Sequence, residues 1–282
     1  MTRANAVRQM RSKRGFRFSR QRLGRLLLAV VGGSVLVFLI APVLAVIPMS
    51  FSSSGILELF PTNPGLVQYR RFFENAEWWS ALLLSVQVAA ATAVLATVVG
   101  VFAALGLSNL SSRARQVVEA MLILPRIVPT IVFAIAAYSV FLRFGLVGSV
   151  LGLVLAHSVL ALPFVVVLVS SGLRAVDPAL AEASQSLGGS PIITFFRVVL
   201  PQVRMAVLGG ALFAFNISFD EVVVTLFISG ARAETLPVKI WNAIQFEVTP
   251  ILPAISVLVL ASTLFLLSLV LVVDRRLLSR PS

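Results

Sequence analysis

The chain has no cysteine, one histidine and two lysines, and only 12% of its 282 residues are charged. Without cysteine it forms no disulfide and no thiolate metal site. The single histidine, His157, excludes a two-histidine zinc motif. A phosphate loop needs lysine directly after glycine, followed by serine or threonine. Lys13 follows Ser12 and Lys239 follows Val238, so the chain has no such loop and does not hydrolyse nucleotide by that route. No Gly-x-Ser-x-Gly nucleophile elbow stands out. Strand-like alternation is missing too, which argues against a β-barrel. The low charge argues against an ordinary soluble domain, which carries about 25% charged residues.

Apolar residues are what the chain has in excess: 59% of the sequence, with a mean hydropathy of +1.01. Apolar runs lie near 26–49, 82–107, 117–141, 146–171, 205–228 and 251–273. Each reaches the ~20 residues that one helical crossing needs. The expectation is an all-α integral membrane protein with six transmembrane helices. A basic arm, 1–25, precedes the membrane domain, 26–273, and a short tail, 274–282, follows it. The first run exceeds the ~7–15 residues of a signal-peptide core, so it reads as a retained anchor.

Basic residues set the orientation. Nine of them fall in 1–25. With that arm in the cytoplasm, seventeen basic residues lie inside. Only Arg70, Arg71, Arg143, Arg232 and Lys239 lie outside, and Arg126 falls within a span. This asymmetry follows the positive-inside rule. Both termini and the loop around Glu182 are then cytoplasmic. The net charge of +12 is assigned to anionic lipid headgroups rather than to nucleic acid.

That loop, 177–201, is polar and punctuated. Asp177 suits a helix cap and Pro178 the first helical position. Gly188-Gly189 ends the helix, and Ser190-Pro191 starts another. The spacing predicts two short helices meeting at a bend. Leu180, Ala183, Ser184 and Leu187 fall at i, i+3, i+4 and i+7 and share one face. Such a ridge suits docking into a groove on a soluble partner.

Glu182-Ala183-Ser184, Leu187-Gly188, Phe195 or Phe196, and Leu200-Pro201 together resemble the signature of bacterial ABC importer permeases. Ser184 stands where the pattern has a second alanine. The resemblance implies a type I ABC importer permease (MetI-like) fold with a cytoplasmic coupling-helix loop formed by Leu180, Glu182, Ala183, Ser184, Leu187 and Gly188. It also implies a multi-pass protein of the bacterial inner membrane. The implied partners are a paralogous permease subunit, two ATPase subunits and an external solute-binding protein. No cofactor is expected on this chain; ATP and Mg belong to the ATPase.

Inside the membrane, Leu124-Pro125-Arg126-Ile127-Val128-Pro129 interrupts the third run. Two prolines four apart remove backbone hydrogen bonds and bend or break a helix. Pro125 and Pro129 mark either a gate or a static kink. His157 reads as a proton relay or as a histidine bonded to a neighbouring helix. In the fifth run Asn216 and Asp220 share a face with Phe213, and Glu221 completes an acidic pair. Two carboxylates facing lipid are strongly disfavoured. They fit a transient cation site along a path, helped by aromatic cation–π contact, or a structural pair.

Ser218-Phe219-Asp220-Glu221-Val222-Val223-Val224 and Thr235-Leu236-Pro237-Val238-Lys239-Ile240-Trp241 resemble spermidine/putrescine permeases, specifically the second of their two permease subunits. The resemblance spans most of 26–273 and implies a small cationic solute moved by alternating access. Another small organic solute, such as an amino acid derivative, and a self-contained carrier are the alternatives. A carrier usually shows charges in several spans or paired broken helices. Here one span is kinked and no internal repeat is clear.

Overall fold

The computed structural model describes residues 3–230, 233–246 and 249–278. Side chains at 3–24, 266–267 and 269–278 lie outside the described residues, as do Arg232, Arg280 and the far end of the tail. Twelve α-helices follow in order: α1 (Arg3–Met49), α2 (Val67–Glu74), α3 (Ala76–Ser108), α4 (Ser112–Ile127), α5 (Thr130–Arg143), α6 (Val150–Arg174), α7 (Pro178–Ser186), α8 (Pro191–Thr194), α9 (Leu200–Phe219), α10 (Val223–Ile228), α11 (Leu236–Phe246) and α12 (Ile251–Leu278). A π-helical turn, Phe195–Val199, joins α8 to α9. The described residues contain no strand.

The chain divides into two units. The first holds 1–69 and 250–258. Its α1 carries an apolar stretch, Arg25–Met49, long enough to cross a bilayer. After α1, polar contacts help tie down the chain. Gln68 Nε2 donates to the carbonyls of Ser52 and Ser54, both at 3.2 Å. The Tyr69 hydroxyl lies 2.7 Å from Ser50 Oγ.

The second unit, 70–249 and 259–282, is built on α3, α6 and α9. Asn75 caps α3, its Oδ1 accepting from the amides of Glu77 and Trp78. Small residues on α3, at Ala89, Ala93, Ala96, Gly100 and Ala104, are buried at helical spacing. Such residues let helices approach closely in lipid. A Cβ on Gly100 would come within 2.6 Å of Val165 Cγ1 on α6. Two apolar clusters result. One joins α3, α5, α6 and α10 through Val88, Ala134, Leu153 and Val224; the other joins α3, α6 and α9 through Ala96, Val165 and Ala214.

Two of the six apolar runs are broken: the third, where the proline pair marked an interruption, and the fifth, where no break was expected. The run 117–141 is not one helix. It breaks at Val128 and Pro129 into α4 and α5, which meet at 97°. Pro129 has no amide hydrogen, and the residue before it is pushed to extended backbone: Val128 has φ −66° and ψ 134°. The run 205–228 is likewise divided. Its helix starts earlier, at Pro191, ends at Phe219, and resumes as α10 after three intervening residues.

Candidate functional site

The loop 177–201 folds from its local signals. Asp177 Oδ1 accepts from the Ala179 amide at 3.0 Å, and Pro178 takes the first turn of α7. Ser190 Oγ accepts from the Ile193 amide at 3.3 Å and caps α8. Between them Gly188 has φ +88°, a conformation that costs other residues ~1–2 kcal/mol. The second short helix does not stand alone. Through the π turn, α8 runs into α9 as one 29-residue element, Pro191–Phe219. At 1.5 Å per residue such an element is roughly 40 Å long. Pro201, which lacks an amide hydrogen, follows that turn, in which the Leu200 amide donates to the Phe195 carbonyl five residues back.

Of the expected ridge, Leu187 is 91% exposed and Leu180 46%. Glu182 and Ala183 are exposed as well. Ser184 points elsewhere. Its hydroxyl lies 2.9 Å from Thr194 Oγ1, and Thr194 is buried. The Gly189 amide donates to the Ser184 carbonyl at 3.0 Å. Ser184 therefore clamps α7 against α8 and fixes the elbow. Sequence spacing did not reveal this contact, because serine and threonine ten apart carry no periodic signal.

The second constellation lies at the break after α9. Asp220 ends α9, its amide donating to the Asn216 carbonyl at 3.0 Å, and its side chain is exposed. Glu221 is only partly buried, and its carboxylate is engaged: Oε1 accepts from the Val224 amide at 3.0 Å, at the start of α10. The two carboxylates are thus unequal: among the described residues Asp220's has no hydrogen-bond partner, whereas Glu221's is spent on a cap. Among the described residues neither takes part in a salt bridge. Asn216 lines a groove of about 490 Å³ with Phe219, Leu82 and Val86 of α3, and Ser262 and Phe265 of α12. Asp220 and Glu221 are not among the residues lining that groove.

His157 bonds to its neighbours, as one of the two expectations had it. It is fully buried on α6, with Nδ1 2.8 Å from Ser218 Oγ and Nε2 3.1 Å from Thr225 Oγ1. Arg126, near the proline break, lies 4.6 Å over the ring of Phe164, which stacks on Phe213 at 6.5 Å. Pro125 lies inside the last turn of α4 and Pro129 at the α4–α5 break, and neither lines the groove beside Asn216. A further ionic cluster went unread in the sequence. Lys239 Nζ reaches Glu77 at 3.0 Å and Glu234 at 3.4 Å, and lies 5.3 Å over Trp78.

Residues 96–279 match the family described as binding-protein-dependent transport system inner membrane component. The spermidine/putrescine transport system permease protein PotC of Haemophilus influenzae is 36% identical over 212 residues, 75% of this chain and 80% of that protein. PotC of Escherichia coli K12 is 33% identical over 261 residues, 92% of this chain and 96% of its own. Among solved structures, a bacterial alginate ABC transporter in complex with alginate pentasaccharide-bound periplasmic protein superposes with a TM-score of 0.69 at 13% identity, covering 94% of this chain and 98% of the other.

Proposed function

Because the chain belongs to the family of binding-protein-dependent transport system inner membrane components, we propose that it forms half of the translocation path of an ATP-driven importer for a polyamine of the putrescine–spermidine class. The family makes it a multi-pass, membrane-spanning transport subunit, and its fold is that of an ABC importer permease. The observation that carries the solute reading is the exposed carboxylate of Asp220 at a helix break, in a chain 33–36% identical to spermidine/putrescine permeases.

A second, paralogous permease subunit completes the path. Two ATPase subunits bind ATP and Mg on the cytoplasmic side, where both termini of this chain lie. An external binding protein delivers the solute. The exposed Leu180 and Leu187 dock α7 on the ATPase, with Glu182 and Ala183 on the same helix. The Ser184–Thr194 clamp and the Gly188 elbow join α7 to the long element Pro191–Phe219, which ends at Asp220. A displacement of α7 is thereby carried roughly 40 Å, the length of a 29-residue helix.

Alternating access then needs only that the partners bind the inward and outward states with different affinity. Asp220 offers a charge to an ammonium group without holding it, since an exposed carboxylate is screened. Asn216 and the aromatic rings of Phe213 and Phe219 border the same segment. Pro129 at the α4–α5 corner, with Pro125 in the turn before it, marks the gate. The test is uptake by the assembled transporter carrying Asp220→Asn. Reduced uptake at unchanged affinity of the binding protein supports the reading; normal uptake removes Asp220 from the path.

A further inference from the structure

We propose that His157 is a positioning residue: it pins α9 and α10 together across their break and so sets where Asp220 and Glu221 stand. The inference rests on the path reading above for its consequence, but on geometry alone for the pin.

Ser218 and Thr225 lie on opposite sides of the break, and one imidazole holds both. Nδ1 is 2.8 Å from Ser218 Oγ, and Nε2 is 3.1 Å from Thr225 Oγ1. The Thr225 hydroxyl donates its single proton to the Glu221 carbonyl at 2.8 Å. It is therefore placed to receive from Nε2–H. Ser218 Oγ, which faces Nδ1, donates to Thr92 Oγ1 on α3 at 3.3 Å. Ser218, Thr225 and Thr92 are all buried.

Glu221 is held to α10 twice, through its carbonyl by Thr225 and through its carboxylate by the Val224 amide. Asp220 is held to α9 through its amide. The relation between the two carboxylates is the relation between the two helices, and among the described residues His157 is a side chain that bonds to both. A buried ring with no such duty would be replaceable by an apolar one. Here an apolar ring would take one partner from each of two buried hydroxyls, Ser218 and Thr225, a costly arrangement.

Glutamine places its amide nitrogen where His carries Nε2, and asparagine places its polar atom near Nδ1. His157→Gln therefore keeps the α10 bond, His157→Asn keeps the α9 bond, and His157→Leu cuts both. The chain lacks cysteine, so Val222→Cys gives a single thiol on the break. The experiment uses the assembled transporter in proteoliposomes and measures two quantities. One is the rate at which a membrane-impermeant maleimide labels that thiol. The other is ATP-driven uptake of spermidine, normalised to assembled complex, with and without Asp220→Asn, Glu221→Gln.

The expected result is a roughly tenfold faster labelling in His157→Leu, the factor that corresponds to ~1.4 kcal/mol, with His157→Gln and His157→Asn between it and the parent. His157→Leu should also lower uptake in the parent but add no further loss in the Asp220→Asn, Glu221→Gln background. An unchanged labelling rate overturns the pin. A further loss of uptake in that background overturns the positioning role, since a general packing defect acts whether or not the carboxylates are there. Normal uptake by Asp220→Asn, Glu221→Gln itself overturns the path reading, while the labelling rate still decides the pin. If His157→Leu fails to accumulate, Thr225→Val cuts the same clamp from α10 and carries both measurements.

Discussion

Replacing Ser184 by alanine removes one hydroxyl and leaves Thr194, 3% exposed, with its own hydroxyl unpaired. Leaving a buried hydroxyl without a partner costs about 1–3 kcal/mol. Because 1.4 kcal/mol is a factor of ten, the α7–α8 elbow should open roughly 5- to 150-fold more often. Thr194→Val should cost less, about 0.5–1 kcal/mol, because the half-buried Ser184 hydroxyl can turn to water. The double variant puts two apolar groups in contact and should recover most of the loss, giving a coupling energy of about 1 kcal/mol. Hydrogen exchange of the Gly189 amide reads the opening directly, since that amide donates to the Ser184 carbonyl. The ratio of ATP hydrolysed to solute imported reads its consequence and should rise in Ser184→Ala. Exchange that is unchanged in Ser184→Ala, or a double variant worse than either single one, would refute the clamp.

The acidic pair should respond unequally. Asp220→Asn should lower uptake up to about fivefold, since an exposed charge contact contributes about 0.2–1 kcal/mol, whereas Glu221→Gln keeps a cap acceptor and should lower it less; equal losses in radiolabelled uptake would contradict the assignment. Glu221→Ala should destabilise the α10 end by about 1–2 kcal/mol as a cap is lost, visible as faster exchange at the Val224 amide. Gly188→Ala forces a side chain to φ +88° at a cost of ~1–2 kcal/mol; it should uncouple ATP hydrolysis from uptake without lowering the amount of chain in the membrane. Gly100→Ala puts a Cβ 2.6 Å from Val165 Cγ1 and should destabilise the α3–α6 contact by about 1–3 kcal/mol, with partial rescue by Val165→Ala in a thermal unfolding measurement. Glu58 accepts from the Thr62 amide at 2.9 Å, which holds its carboxyl below the ordinary range. A lowered folded value means the contact is fully present above the ordinary carboxylate range and is lost as pH falls through the lowered value; Thr62 amide exchange should stay flat at neutral pH and rise only in acid.

Local chemistry was legible in the sequence and long-range chemistry was not. Asp177, Pro178, Ser190 and Pro191 announced both helix starts in the loop, and the structure forms both caps. Pro125 and Pro129 announced an interruption, although nothing in a proline pair specifies its 97° angle. The break at Asp220 was hidden because Val222–Val223–Val224 continues the apolar run, so hydropathy passes straight over it. The partners of His157 lie 61 and 68 residues away, beyond the reach of any helical period. Ser184 looked like one more small residue on a docking face, and only its contact with Thr194 shows that it faces inward. The small residues of α3 pointed to close helix packing, and Gly100 against Val165 leaves no room for a Cβ.

The most direct test of the whole account is ATP-dependent uptake of labelled spermidine and putrescine into proteoliposomes containing this chain, its paralogous partner, the ATPase and the binding protein, with an Asp220→Asn transporter measured beside it. The account predicts uptake that requires ATP, the ATPase and the binding protein, competes between the two polyamines, and falls in Asp220→Asn. Uptake of either polyamine by this chain without ATPase or ATP, or ATP-driven uptake of other solutes with no response to polyamines, would contradict it.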